Sequence, residues 1–258
     1  MYLNTGLDVS SNGIKQLELM NNEGAIASYF ELSTGISGCT VLDNSENPIY
    51  NDRWNIMNSI ISNDNPNLRI GFYHFFYASN TNPTYPPYEQ GVIFARSLIN
   101  DNIPNTNYLF ALDIEEASFG NVDSILLESI ESNVKEFLNG LNSTITGNFN
   151  IMIYSNLNFI NNISNPPMYE SKFLTGFKLW LADALERIPN VSYQPTNEEI
   201  NWAISQMNSI NWGGVQGWSG WQYAISGITN PNLDIDLDIF NMDEIYIENM
   251  YYVKRDIL

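Results

Sequence analysis

Residues 108–116 have the sequence YLFALDIEE, an apolar run that ends in acidic residues. The apolar part is typical of a buried β-strand. Asp113 and Glu115 lie two positions apart, so an extended strand would point both side chains to one face, with their α-carbons about 6.5–7 Å apart. Ile114 would point to the other face, towards a covering helix. The segment therefore predicts a buried strand whose end carries two carboxylates.

Seven further apolar runs of strand length accompany this one. Helical periodicity occupies much of the sequence between them, and this alternation predicts a parallel sheet covered by helices. Strands are predicted near 5–10, 25–32, 68–76, 108–114, 149–155, 178–182, 218–224 and 234–240. Helices are predicted at 50–63, 86–101, 121–141 and 196–208, with weaker patterns at 13–23 and 156–174. The last three strands have less helix between them, so the final third of an α/β barrel would be closed mainly by loops and strand pairing.

The chain has 258 residues, which is a normal length for a single α/β barrel. It contains no evident linker, internal repeat or appended module. We therefore predict one domain over residues 1–258, with a barrel core at about 4–241 and a C-terminal extension at 242–258.

The composition excludes several partners and reaction classes. Asp and Glu number 29 against 10 Lys and Arg, for a net charge of −19, so neither nucleic acid nor an anionic membrane is an expected partner. Cys39 is the only cysteine, which excludes an internal disulfide. His74 is the only histidine and lies inside the strand GFYHFF, so a zinc site with two histidines is excluded and a buried structural role is favoured. Phosphate-binding glycine loops and a G-x-S-x-G turn are absent from the sequence, and no cofactor is expected.

Acidic residues also end the first and last predicted strands. Asp8 ends the first strand in GLDVS, and Asp236 lies in DIDLDIF at the end of the last strand. First and last strands are neighbours in a closed barrel, so four acids from three strands are expected at one rim. That rim, at the carboxyl ends of the strands, is where such barrels place their active sites. Mutual repulsion between Asp113 and Glu115 would raise the pKa of at least one of them, as a general acid requires.

Two simpler interpretations of these acids stay open. The acidic end of the strand could cap the following helix, with Glu116 and Asp123 as further members. The DIDLD segment resembles the start of a calcium loop, but the twelfth position is Ile245 instead of Glu. Asp234 and Asp238 are therefore predicted to shape the strand end or to face water, and no metal site is predicted.

Seven short motifs together resemble the glycoside hydrolase family 25 lysozymes, the Chalaropsis-type muramidases that include many phage endolysins. Each motif alone is weak, whereas seven in the family's order, over nearly the whole chain, are a specific signal. The motifs are GLDVS at 6–10, GFYHF at 71–75, LDIE at 112–115, IYS at 153–155, LWLA at 179–182, WQY at 221–223 and DLDIF at 236–240. The resemblance implies a flattened, TIM-like (β/α)5(β)3 barrel.

The resemblance also implies an activity, the hydrolysis of the β-1,4 bond between N-acetylmuramic acid and N-acetylglucosamine in peptidoglycan. By motif position, Glu115 corresponds to the general acid, and Asp113 to the residue that orients the substrate N-acetyl group or the water. Asp8 and Asp236 correspond to supporting acids of the rim. Retention through the substrate acetamide and inversion with Asp113 as base both stay open. The implied partners are peptidoglycan glycan strands, and the oligomeric state is left open.

Aromatic side chains near the strand ends are expected to bind the sugar rings, since they offer an apolar face together with a hydrogen-bonding group. Strand alternation assigns about half of them to the core. The candidates are Tyr73, Phe75, Tyr77, Tyr154, Trp180, Trp221 and Tyr223. The predicted substrate contacts are Tyr73, Tyr154, Trp180, Asp183, Gln222 and Glu31. Trp54, Trp202, Trp212 and Trp218 are predicted to be packing or rim residues.

Two departures from the family pattern bear on the substrate. The first strand continues as DVSSNG, one residue shorter than usual and with Asn12 in place of Gln, and ELSTG places Glu31 where the family has a lysine. One explanation of these two departures is a substrate with a modified glycan or peptide stem. The alternative function is that of a catalytically impaired barrel that binds peptidoglycan. A chitinase-like glycosidase is disfavoured, because Ala111 replaces the first Asp of the D-x-D-x-E pattern.

The sequence also bears on location. The N-terminal segment MYLNTGLDVSS lacks the basic and apolar regions of a signal peptide, and no apolar run has transmembrane length. We therefore expect a protein made in the cytoplasm without a separate wall-binding module. It would act on the cell wall after holin-dependent release or as part of a phage or secretion assembly.

Overall fold

The architecture is α/β, with a mostly parallel sheet and helices packed against it. The computed structural model describes residues 3–9, 27–34, 69–81, 85–100, 109–120, 122–145, 150–182, 198, 201, 205, 212, 218–224 and 236–241. None of the helices within these ranges is long and apolar enough to cross a membrane.

Ten strands occur in the described residues, and eight of them form the main sheet. In chain order they are β1 Leu3–Val9, β2 Ala27–Thr34, β3 Arg69–Phe75, β4 Leu109–Asp113, β5 Ile125–Leu126, β6 Asn150–Asn156, β7 Ser164–Asn165, β8 Lys178–Ala182, β9 Trp218–Ala224 and β10 Asp236–Asn241. The short strands β5 and β7 pair only with each other, in parallel. The other eight correspond to the eight predicted strands, each within a few residues.

The main sheet closes on itself in the order β1-β10-β9-β8-β6-β4-β3-β2, with β2 also paired to β1. Seven of its strands run parallel. The exception is β10, which is antiparallel to both β9 and β1. The chain's first and last described strands are therefore neighbours, as predicted, but the last one runs in the opposite direction to the rest.

Two α-helices are described over their whole length, α1 at Pro87–Asn100 and α2 at Leu127–Thr144. The first matches the predicted helix 86–101. The second begins six residues later than predicted, because Ile125 and Leu126 form strand β5 with β7. Its buried residues from Ile130 onward are Ile130, Val134, Phe137, Leu138, Gly140 and Leu141, which lie on one face of the helix.

The weaker helical pattern at 156–174 does not form a continuous helix. A π-helical turn at Phe159–Ile163 is followed by β7 and by two 3-10 turns, Met168–Glu170 and Leu174–Gly176. In the predicted helix 196–208, residues 198, 201 and 205 are helical. The predicted helices at 13–23 and 50–63 and the extension at 242–258 lie outside the described residues.

The main core lies between the sheet and the two helices. Phe94 of α1 packs edge-on against Phe110 of β4, with ring centroids 5.6 Å apart, and Phe137 of α2 packs at 6.1 Å from Phe94. The helices cross closely at two glycines. A Cβ atom at Gly91 would overlap the carbonyl oxygen of Phe137, and one at Gly140 would overlap that of Tyr88.

Candidate active site

The carboxyl end of β4 carries the first predicted acid, Asp113. Phe110 faces the helices, because its ring contacts Phe94 of α1. Side chains alternate along a strand, so Asp113, three positions further on, faces the barrel interior. Asp113 is 7% exposed, and its register partners on the neighbouring strands are Phe75 and Tyr154. A carboxylate therefore lies on the inner wall at the end of the strand.

Glu115 lies two residues beyond β4, immediately before a 3-10 turn at Glu116–Phe119. Its backbone is extended, with φ −136° and ψ −179°, so the alternation of β4 continues to this residue. Ile114 still pairs with β6, since its amide donates to the Tyr154 carbonyl (2.9 Å) and its carbonyl accepts from the Ser155 hydroxyl (2.7 Å). The backbone thus continues the inner-face alternation as far as Glu115, although the regular strand ends before this residue. Glu115 is also the N-cap of the 3-10 turn, since its amide donates to the Ser118 hydroxyl (3.0 Å) and its carbonyl accepts the Ser118 N–H (3.0 Å), so the capping position that the sequence left open is occupied as well.

A polar and aromatic layer lies next to these acids, on β6, β8, β9 and β10. The hydroxyl of Tyr154 donates to Oε1 of Gln222 (2.7 Å), and its ring packs edge-on against Trp180 with centroids 4.9 Å apart. The indole N–H of Trp180 donates to Oδ1 of Asp238 (2.8 Å). We call these four residues the interior layer. Its hydrogen bonds join strands that are not adjacent, so the side chains meet inside the barrel.

Two members of the interior layer differ from expectation. Trp180 is 1% exposed and its N–H is bonded to Asp238, so it presents neither a free ring face nor a free donor to a sugar. Its geometry fits a residue that packs against Tyr154 and supports it. Asp238 is fully buried, so it does not face water, which was one of the two roles predicted for it, while the other role, shaping the strand end, stays a prediction. The same signal that identified Asp113, an acid interrupting an apolar strand, was present at Asp238.

The acids at the two ends of the chain occupy paired backbone positions. Asp8 and Asp236 are Cα partners in the β1–β10 register. The sequence placed Asp236 at the end of the last strand, whereas it is the first residue of β10. Because β10 is antiparallel to β1, the start of β10 lies at the rim where the parallel strands end. Glu31 on β2 is the register partner of Tyr73 on β3. The side chains of Asp8, Asp236 and Glu31, and the whole of Asp183, lie outside what the structure describes.

Comparison with known proteins places the chain in a family. The model for glycosyl hydrolases family 25 matches residues 23–231, which is more than half of the chain. The chain belongs to glycosyl hydrolase family 25. It is therefore a glycoside hydrolase of the lysozyme type, and this membership implies peptidoglycan as the class of substrate.

Two solved structures share the fold of this family 25 hydrolase. One is GHIP, a glycosyl hydrolase 25 of Streptococcus pneumoniae described as a virulence factor participating in host cell invasion. It has a TM-score of 0.56 and 13% identity, over 92% of this chain and 87% of that one. The other is a muramidase from Trichobolus zukalii, with a TM-score of 0.54 and 17% identity, over 92% and 93%. No curated protein sequence matches the chain significantly.

The single histidine of this family 25 hydrolase lies away from the candidate site. His74 is fully buried, with its ring 5.8 Å from that of Phe94 and 5.1 Å from that of Phe137, so it faces the helices. Its Nε2 atom is 3.1 Å from Oε1 of Gln90. The predicted structural position of His74 is confirmed. Within the ranges that the structure describes, no group of three His, Cys, Asp or Glu residues could hold a metal ion.

The remaining predicted aromatic residues divide between core and rim. Trp221 is 1% exposed, and Trp212 is buried with its indole N–H donating to the Phe177 carbonyl (2.9 Å), which confirms the packing role predicted for Trp212. Phe75 and Tyr77 are partly exposed, and their ring centroids lie 5.2 Å apart. This pair therefore combines exposed aromatic surface with a position next to Asp113, the register partner of Phe75.

Proposed function

We propose that this family 25 hydrolase cleaves the β-1,4 bond between N-acetylmuramic acid and N-acetylglucosamine, with Glu115 as the general acid. The observation that carries the proposal is the placement of Asp113 and Glu115 at successive inner-face positions where β4 ends. Glycoside hydrolysis passes through an oxocarbenium-like transition state. One carboxyl group must protonate the leaving oxygen while other carboxylates stabilise the positive charge. Paired acids at a barrel rim supply both functions.

The proposed roles of the other acids follow from their backbone positions. Asp113 orients the substrate N-acetyl group or the attacking water, and Asp8 and Asp236 complete the acidic rim from the paired strands β1 and β10. The stereochemical outcome separates the two roles of Asp113. Retention would assign nucleophilic attack to the substrate acetamide oriented by Asp113, and inversion would make Asp113 the base that activates water.

For the sugar-binding surface we propose the partly exposed pair Phe75 and Tyr77. Tyr73 and Tyr154 stay proposed contacts because of their sequence motifs, although both are buried, at 7% and 8% exposed. Aromatic rings stack on the apolar faces of pyranoses, and phenol groups add hydrogen bonds. Gln222 is proposed to act through Tyr154, because its Oε1 atom accepts a hydrogen bond from the Tyr154 hydroxyl. Asp183 and Glu31 are proposed as contacts further along the rim, on the strength of their sequence positions alone.

The closed sheet supports a finer description of the fold. We propose that the chain forms the flattened barrel with five β/α units followed by three strands that its family resemblance implies. The support is the order of the eight paired strands and the antiparallel last strand, which needs no crossover helix.

The decisive experiment compares Glu115→Gln with wild type on purified peptidoglycan. The amide keeps the shape of the side chain but has no acidic proton, so the rate should fall by at least ~100-fold, the usual contribution of general acid–base catalysis. Glu136→Gln, an exposed carboxylate on α2, is the matched control and should retain full activity. Equal rates for Glu115→Gln and wild type would remove Glu115 from the role of acid.

The products identify the bond and the competing functions. Mass spectrometry should find N-acetylmuramic acid at the new reducing end. Sedimentation with the cell wall but no release of sugar would instead identify a binding protein, the alternative suggested by Glu31. Release from chitin oligomers and not from peptidoglycan would identify a chitinase-like enzyme.

A further inference from the structure

The residue next to the proposed acid has a hydrogen-bonding arrangement of its own. Both carboxylate oxygens of Glu116 accept side-chain amide N–H groups: Oε2 from Asn156 (2.7 Å) and Oε1 from Asn158 (3.0 Å). Asn156 is the last residue of β6, and Asn158 is the N-cap of the π-helical turn that follows. Glu116 therefore links the segment after β4 to the segment after β6. We call these three residues the amide clamp.

The two asparagines are themselves held in place. Oδ1 of Asn156 accepts the backbone N–H of Phe159 (2.8 Å), and Oδ1 of Asn158 accepts an N–H from the side chain of Asn162 (2.9 Å). Because each carbonyl oxygen of these amides is already used as an acceptor, the amide nitrogen is the group directed at Glu116. The clamp is therefore built from oriented donors.

An apolar contact joins the same two segments. Phe119, at the end of the 3-10 turn that Glu116 begins, stacks on Phe159 with ring centroids 5.7 Å apart and an interplanar angle of 19°. Both rings are almost fully buried. The 3-10 turn is thus fixed to the end of β6 and the π-helical turn after it, by hydrogen bonds at its first residue and by packing at its last residue.

Glu115 lies between two fixed points of the backbone. On one side Ile114 is bonded to the Tyr154 carbonyl and the Ser155 hydroxyl of β6. On the other side is the amide clamp, and the amide of Glu115 itself donates to the Ser118 hydroxyl (3.0 Å). The clamp uses neutral donors.

We propose that Glu116 is a positioning residue that holds Glu115 in place through its hydrogen bonds to Asn156 and Asn158. The proposal rests on the assignment of Glu115 as the general acid. A catalytic group must be held within about 0.5 Å of its productive position, and a displacement of about 1 Å can cost about 100-fold in rate. Loss of the clamp should therefore lower kcat more than it raises KM.

The test measures kcat and KM on soluble peptidoglycan fragments, well below the unfolding temperature, for wild type, Glu116→Ala, Glu116→Gln and Asn158→Ala. Glu116→Ala should lower kcat about 10-fold, with KM changed less than about twofold. Glu116→Gln keeps one acceptor oxygen and should restore part of kcat. The glutamine at position 116 lacks the second acceptor oxygen, so adding Asn158→Ala to Glu116→Gln should lower kcat only a little further. The fall in kcat of the double variant should therefore be smaller than the two single effects combined.

Two outcomes overturn the proposal. One is a kcat for Glu116→Ala equal to that of the Glu136→Ala control on α2, and the other is a rise in KM with kcat unchanged. If Glu116→Ala does not fold, Glu116→Gln and Asn158→Ala decide by the same criteria. Glu115→Gln in the same assay separates this test from that of the function. If Glu115→Gln is inactive and Glu116→Ala is fully active, only the positioning role of Glu116 is contradicted. If Glu115→Gln is fully active, the assignment of Glu115 as the general acid is contradicted.

Discussion

Asp238 is a fully buried carboxylate inside the barrel, and the free-energy cost of burying it depends on the hydrogen-bond donors around it. Burying a charged group is costly unless hydrogen bonds replace its water. Trp180 supplies one such bond, and Trp180 packs in turn on Tyr154, whose hydroxyl is held by Gln222. The side chain next to Asp113 is thus supported through contacts that begin at Asp238.

Substitution of Asp238 tests this support. Asp238→Asn keeps an oxygen acceptor for the indole N–H, so the free energy of unfolding should stay within about 1 kcal/mol of wild type. Asp238→Ala removes the acceptor and leaves a buried donor unsatisfied, which should cost about 1–3 kcal/mol. Urea unfolding of both variants measures the difference, with the exposed Asp123→Ala as control. Equal stabilities for the Asn and Ala variants would show that the Trp180 bond contributes nothing.

At this scale the sequence predicted where acids lie along a strand but not their surroundings. The spacing of Asp113 and Glu115 was sufficient to place both on the inner face, because an extended backbone alternates. The burial of Asp238 was not predicted, since alternation says which face a residue occupies and not whether that face is exposed to water. The bonds of Glu116 to Asn156 and Asn158 join residues 40 and 42 positions apart, and no local pattern reports them.

At the scale of elements, the pairing of α1 with α2 depends on two glycines. Gly91 and Gly140 let each backbone approach a carbonyl oxygen of the other helix. Sequence periodicity predicted both helices. It placed the start of α2 too early, because Ile125–Leu126 pair with residues 164–165, a contact between distant parts of the sequence. Leu126 is 57% exposed, so its apolar character was misleading.

Alanine substitution tests the helix crossing. Alanine normally stabilises a helix relative to glycine by about 0.5–1 kcal/mol. At Gly140 the new methyl group would overlap the Tyr88 carbonyl, so the helices must separate, and a net loss of about 1–3 kcal/mol is expected. Gly176→Ala is the matched control, since no atom lies within 4 Å of its added methyl group. A Gly140→Ala protein as stable as this control would contradict the close crossing.

At the scale of the whole molecule, closure depends on the last strand. β10 pairs with β9 on one side and with β1 on the other, so it joins the two ends of the chain and covers both edges of the sheet. The apolar runs predicted the position of this strand but not its direction, because side-chain periodicity is the same for a strand read in either direction. Its antiparallel course is what brings Asp236, at its start, to the position opposite Asp8.

Truncation tests whether the barrel depends on β10 and where the domain ends. A chain ending at Asn241 keeps every described strand and should unfold cooperatively, with wild-type activity on peptidoglycan, if the core ends at about 241 as predicted. A chain ending at Ile235 loses β10 and leaves the edges of β1 and β9 unpaired, and such edges promote aggregation. It should be inactive and lack a cooperative thermal transition, as measured by circular dichroism and size-exclusion chromatography. A soluble, cooperatively folded 1–235 chain would show that the sheet does not need β10. Inactivity of the 1–241 chain would show that residues 242–258 belong to the functional domain.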